Sequence, residues 1–204
     1  MKRCLFILTA CMLLAAGAQE LARRGKTEYK IVYASEYEKE AAEELKLHLD
    51  QITGADFPIV MDKDAVKGPA IWLGNTAFAR KQGIDSTKLA PEEWLIRNYG
   101  KDLIITGGKR HGTQNGVYDL LETQFGCRWY AWDTTEIPKN PNLTLKSVNI
   151  RKQPSFDSRE IFDDYHSSWR HIRRQSVLCR LPPRAGLGSR GWRRGSCRRS
   201  PACA

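Results

Sequence analysis

The sequence predicts an α/β fold: a two-layer sandwich in which a mixed β-sheet carries two main helices on one face. Three observations predict it. Short β-branched and aromatic runs recur between residues 29 and 108. The segments after Ser35 and after Gly112 place apolar residues at helical spacing. Strand, helix, several strands, helix and strand follow one another, an order that favours layered α/β architecture.

Each element has its own local signal. YKIVYAS (29–35) reads as a strand, with β-branched and aromatic residues alternating with others. Ser35-Glu36-Tyr37-Glu38 fits a capping box, the serine accepting an amide proton while Glu38 reaches back. Tyr37, Ala41, Leu45, Leu49 and Ile52 then share one helical face, and Gly54 is placed to close the helix. FPIVMD (57–62) and AIWLG (70–74) read as short strands, and TAFARKQG (76–83) as a short helical piece. Residues 93–108 read as a hairpin turning at Tyr99-Gly100-Lys101-Asp102. In the helix expected over 112–126, Thr113 is the cap, Val117, Leu120, Leu121 and Phe125 form the apolar face, and Gly126 is the stop. CRWYAW (127–132) continues as a strand, and 143–162 as one or two more.

The formal net charge of +10 is unevenly placed. Asp164 is the last acidic residue, and ten arginines follow it. Removing those ten from the 33 Lys and Arg leaves 23 basic against 23 acidic residues, a neutral body. A neutral body gives no electrostatic support for a nucleic-acid or membrane partner. Of six cysteines only Cys127 lies in the body, and no CxxC or HExxH spacing is present, so neither a disulfide framework, a metal site nor a cofactor is expected.

Lys2 and Arg3, the apolar run CLFILTACMLLAA and the triplet Ala16-Gly17-Ala18 read as a signal peptide over 1–18, implying a secreted or periplasmic protein. The run is too short for a transmembrane segment. Leu8-Thr9-Ala10-Cys11 is the competing detail, a lipoprotein-type box that would anchor the chain through Cys11. Asn142-Leu143-Thr144 is a sequon, expected to be idle behind a leader of bacterial character.

Few residues carry chemistry by pattern. GGKRHG (107–112) sits between strand and helix, where glycine amides can face an anion, but it matches neither GxxxxGK[ST] nor GxGxxG. A tight turn with positive φ at glycine is the preferred reading. His48, His111, His166 and His171 form no ligand spacing. Trp129, Tyr130 and Trp132 could stack on a sugar ring or pack in the core. Asp163 and Asp164 are neighbours and would point apart on a strand, so they make no acid–base pair by themselves.

GGKRHGTQNGVYDLLETQFGCRWYAWDTTEIPK (107–139) resembles the N-terminal non-catalytic domain of family 67 α-glucuronidases and family 20 β-hexosaminidases, secreted glycoside hydrolases. The carriers are Gly107-Gly108, Gly112-Thr113, Gly116-Val117-Tyr118, Leu121-Glu122, Gly126-Cys127-Arg128-Trp129-Tyr130 and Ile137-Pro138. The resemblance covers about 28–150. After the leader over 1–18, it implies an accessory domain over 19–150 and a linker with the first strand of a (β/α)₈ barrel over 151–176. It further implies that this domain packs on a catalytic barrel, and that the barrel takes the carbohydrate polymer. PSFDSREIFDD (154–164) occupies the place of that strand, and Arg159 matches a sugar-holding arginine there, although Glu160 stands where the hexosaminidases have glycine. No catalytic residue carries over. With Trp129 and Trp132, Arg159 completes the candidate substrate contacts.

Residues 177–204 contain no Asp, Glu, Lys, Ile, Asn, Tyr or Phe, where the resemblance implies further strand–helix units. A frame slip in GC-rich DNA yields such composition; a disordered arginine-rich tail that binds RNA or an acidic polymer is the alternative. The encoding DNA, read in its other two frames beyond the codon for Val177, is expected to continue into barrel-like sequence. Absence of such sequence in both frames refutes the frame slip.

Overall fold

The apolar side chains of the strands divide cleanly between two faces, and this division builds the layers. The structure, a computed structural model, describes residues 18–64, 66–130 and 134–155. In chain order the strands are β1 (Gln19–Glu20), β2 (Lys30–Tyr33), β3 (Ile59–Met61), β4 (Ala70–Leu73), β5 (Trp94–Tyr99), β6 (Asp102–Gly107), β7 (Arg128–Trp129), β8 (Thr135–Glu136), β9 (Thr144–Leu145) and β10 (Asn149–Lys152). The helices are α1 (Glu36–Thr53), α2 (Ala77–Lys81) and α3 (Gly112–Thr123), with a 3-10 turn at Ser86–Lys88. Six strands form one sheet in the order β10-β5-β6-β4-β2-β3. β3, β2, β4 and β6 pair in parallel, and β5 and β10 pair antiparallel, so the sheet is mixed as expected.

On one face Ile31, Ile71, Leu73, Trp94, Ile96, Leu103 and Ile105 meet the apolar sides of α1 and α3. The intervening residues Trp72, Leu95 and Ile104 point the other way, as the period of two in a strand requires, and pack with Phe78, Ala79 and Ile84 around α2. The rings of Trp72 and Phe78 stack at 4.8 Å. The two main helices therefore share one face, and a short helix and turn cover part of the opposite one.

α1 begins and ends where expected, with altered detail. The Ser35 hydroxyl accepts from the Tyr37 N–H at 3.3 Å, and the Glu38 carboxylate accepts from the Ser35 O–H rather than from the Ser35 amide. Gly54 (φ 75°) closes the helix, its N–H reaching the Asp50 carbonyl at 2.8 Å. Ala41, Leu45, Leu49 and Ile52 are buried, but Tyr37 is 60% exposed, because it lies in the first turn beyond the sheet-facing stripe. Each fully buried aliphatic side chain contributes about 1.5–3 kcal/mol. An i,i+4 ion pair such as Lys46–Asp50 contributes about 0.5 kcal/mol. The apolar stripe holds this helix.

α3 departs further. Its N-cap residue is His111, which makes no side-chain cap bond, and Thr113 lies inside the helix. All of residues 112–121 are buried, including Thr113, Gln114, Asn115 and Asp119. An amphipathic surface helix is what the sequence predicts; the structure packs α3 against β5, β6 and α1. Gly126 (φ 76°) still turns the chain, with its N–H bonded to the Glu122 carbonyl.

Of the strand expected over 127–132, β7 pairs with β8 in a two-stranded sheet apart from the main one, and residues 131 and 132 lie outside the described set. Of the strands expected over 143–162, β9 pairs with β1 and β10 completes the edge of the main sheet beside β5. Residues past 155 lie outside the described set. No described helix is long and apolar enough to cross a membrane.

Glycine matters most where β6 runs into α3. A Cβ on Gly107 would lie 2.0 Å from the carbonyl carbon of Gly112, and one on Gly108 would lie 1.9 Å from the Ala90 oxygen. Both obstacles are backbone, so no side chain can move aside. Gly107→Ala is expected to lower unfolding stability by about 3 kcal/mol, read from urea melts. Gly83→Ala is the control: its Cβ meets nothing within 4 Å, and its cost is the strain of φ +76°, about 1–2 kcal/mol.

Candidate functional site

The strand-to-helix turn GGKRHG is the first place to look for an anion site. Gly107, Gly108, Gly112 and the helical Gly116 all have ordinary negative φ; Arg110, at φ 70°, is the residue in the left-handed region. The sequence reading gives positive φ as the reason for the glycines. The structure corrects it: the glycines are there because their missing Cβ atoms let backbones touch. A Cβ on Gly116 would come within 2.9 Å of the Ile105 Cγ2, so α3 lies close on the sheet.

A cleft of about 250 Å³ opens beside this turn, between the first turns of α1 and α3. Its lining includes Glu36, Glu38 and Glu40 facing Arg110 and His111. Three glutamates against one arginine in the same lining give the cleft a charge balance that opposes an anionic ligand. The turn reading stands.

The aromatic group divides between inside and outside. Trp129 is 4% exposed, its ring edge-on to Tyr118 at 5.6 Å and to His48 at 5.5 Å. A sugar could reach that ring only if the core opened. Tyr130, the next residue, is 62% exposed, and its hydroxyl donates to the Glu136 carboxylate at 2.9 Å. That bond, more than any burial, pushes the phenol above its ordinary value. Strand alternation was the available signal: if Trp129 points inward, Tyr130 points outward. Trp132 and Arg159 lie outside the described residues.

His48 is buried on α1 and donates through Nδ1 to the Glu44 carbonyl at 2.8 Å, since a carbonyl can only accept. Among the described residues no group of three or more His, Cys, Asp or Glu is placed to hold a metal. The sequon residue Asn142 accepts the Arg24 N–H at 2.9 Å, so its side chain has a structural task.

Two buried carboxylates were not anticipated, because their partners are distant in sequence. Asp119, at 0% exposure, accepts from the Trp94 indole N–H at 2.8 Å and from the Lys152 ammonium at 3.1 Å. Glu93 accepts from the Arg151 guanidinium at 2.6 Å and from the Ala90 N–H at 2.7 Å. Arg151 and Lys152 are neighbours on β10, so each face of the strand is tied to a different buried acid. The arrangement binds β10 to the sheet and to α3; it aims no acid and base at a shared substrate position.

No family model matches the chain. No curated protein matches it. Among solved structures it is distantly similar to a family GH115 4-O-methyl-α-glucuronidase with specificity for decorated arabinogalactans, at 17% identity and a TM-score of 0.45, over 63% of this chain and 18% of that one. It is similar to a mutant Streptomyces plicatus β-hexosaminidase in complex with its product, at 15% identity and a TM-score of 0.44, over 70% of this chain and 26% of that one. A family GH20 β-N-acetylhexosaminidase from Streptomyces coelicolor A3(2) matches at 14% identity and a TM-score of 0.44, over the same shares. The chain thus spans about a quarter or less of the length of these proteins.

The Arg151 bond holds the Glu93 carboxyl below its ordinary value of 4.5, against burial, and the Ala90 amide adds to the effect. A lowered carboxyl stabilises the fold fully above its ordinary value, and that stability is lost as pH falls through the folded value. Wild-type protein is expected to lose about 1 kcal/mol more than Glu93→Gln between about pH 5 and pH 3. Urea melts at several pH values check this, and parallel losses in both proteins refute it.

Proposed function

We propose that residues 19–150 are a non-catalytic accessory domain of an exported glycoside hydrolase that acts on polysaccharide, with removal of glucuronosyl groups from xylan as the activity of the intact parent. Export through the leader at 1–18 is part of this reading. The polymer would be taken by a catalytic barrel on which the domain packs, with Arg159 on its first strand as a sugar contact.

One observation carries the reading. The segment that holds the family resemblance, 107–139, serves architecture at its buried positions: its glycines bring β6 and α3 into contact, Tyr118 and Trp129 fill the core, and Asp119 anchors β10. Such use fits a domain that supports a catalytic partner. Hydrolysis by two carboxylates requires a facing pair about 5–9.5 Å apart across a substrate cleft; of the buried acids described, Glu93 and Asp119 are engaged by cations, and Glu44 lies beside the buried His48 ring on its own helix.

A second reading, a stand-alone carbohydrate-binding module, is favoured by Tyr130, an exposed ring held in place by Glu136. Trp132 would stand near it in sequence as a further stacking surface.

The purified full chain should release no sugar from glucuronoxylan or from aryl glycosides, and turnover of either refutes the non-catalytic reading. Retention of the chain on insoluble xylan, abolished in Tyr130→Ala or Trp132→Ala, would replace the accessory reading with the binding-module one.

A further inference from the structure

We propose that Gln19 is the amino-terminal residue of the mature chain and that the fold keeps its side chain from cyclising to pyroglutamate; this rests on the leader reading and is independent of the carbohydrate reading. Ala16-Gly17-Ala18 marks the junction in sequence, and the structure gives the same junction a physical meaning. Ala18 is exposed, whereas Gln19 is 8% exposed and begins β1, paired with Leu145 of β9. The leader triplet ends where the packed body starts. A peptidase needs an exposed, extended junction, so cleavage precedes the pairing of β1 with β9.

Cutting the Ala18–Gln19 bond gives Gln19 a free α-amine. An amino-terminal glutamine then has a reaction of its own. The neutral α-nitrogen attacks the side-chain Cδ, a C–N bond closes a five-membered lactam, one α-amine proton passes to Nε2, the Cδ–Nε2 bond breaks, and Nε2 leaves as ammonia. No co-reactant is involved, so the geometry of the folded chain governs the rate.

Here the departing nitrogen is occupied. Nε2 donates to the Gly100 carbonyl at 2.7 Å and to the Asp102 carbonyl at 3.1 Å, across the turn of the β5–β6 hairpin. Ring closure requires the side chain to fold back on its own main chain. Both bonds must break, and Gln19 must leave its buried position beside Leu145. Oε1 has no described partner, so the amide is held through its nitrogen alone.

The full chain, exported from a bacterial host with its own leader, tests this by mass spectrometry of its amino-terminal peptide. Native and guanidinium-denatured samples are incubated in parallel and followed for loss of ammonia. The product is expected to begin at Gln19 with an open glutamine. Cyclisation in the native sample is expected to be at least about tenfold slower than in the denatured one, the effect of two hydrogen bonds that must be broken first. A product beginning at Cys11, or one retaining Met1, overturns the assignment of the terminus. A product beginning at Gln19 that is already cyclised, or that cyclises equally fast in both samples, overturns the protective role while leaving the leader reading in place.

Discussion

The contact of backbone on backbone between the end of β6 and the start of α3 is the constraint on which the rest of the fold depends. At Gly107, Gly108 and Gly112 the chain passes too close to residues 90–93 and to itself for any side chain to fit. That approach sets the depth at which α3 lies on the sheet, and Gly116 extends it one turn further. Val117, Tyr118 and Leu121 consequently reach the core shared with α1, and Trp129 closes it from beyond the helix. A bulkier turn would lift α3 and open the whole layer.

Burying a helix this deeply carries its polar residues inward as well. Asp119 would be an uncompensated charge without Trp94 and Lys152, and removing one partner of such a buried pair costs several kcal/mol. The indole comes from β5, and the cation comes from β10, which also supplies Arg151 to Glu93. Closure of the sheet edge and neutralisation of the buried acids are therefore one event, and β10 belongs to the cooperative unit despite its late place in the chain. Asp102 plays a similar part at the hairpin turn, accepting from the Ala70 N–H and the Trp72 indole.

Much of the fold was legible because local rules act over a few residues. The Ser35 cap, the Gly54 and Gly126 stops, the hairpin turn at Gly100 and the strands β2, β4, β5 and β6 each follow from neighbours in sequence. Tyr37 shares the helical face yet is exposed, because periodicity says which residues share a face and is silent on where that face ends against the sheet; Thr113 is no cap because the chain enters the helix already at His111. The site was less legible. Trp129 and Tyr130 are adjacent aromatics with opposite fates, 4% and 62% exposed, and a pattern of residue types cannot say which of two alternating faces is covered.

Sequence alone was enough for the α/β class, the order of elements, the neutral body and its separation from an arginine-rich end, because composition and short-range periodicity carry those properties. The three-dimensional packing settled the rest: that the glycines of 107–112 let backbones touch, that α3 is buried on all its turns up to residue 121, and that Arg151 and Lys152 answer two buried acids. Those outcomes depend on which distant segments meet. Long-range contact is set by the shape of the assembled layers, and no window of neighbouring residues contains it.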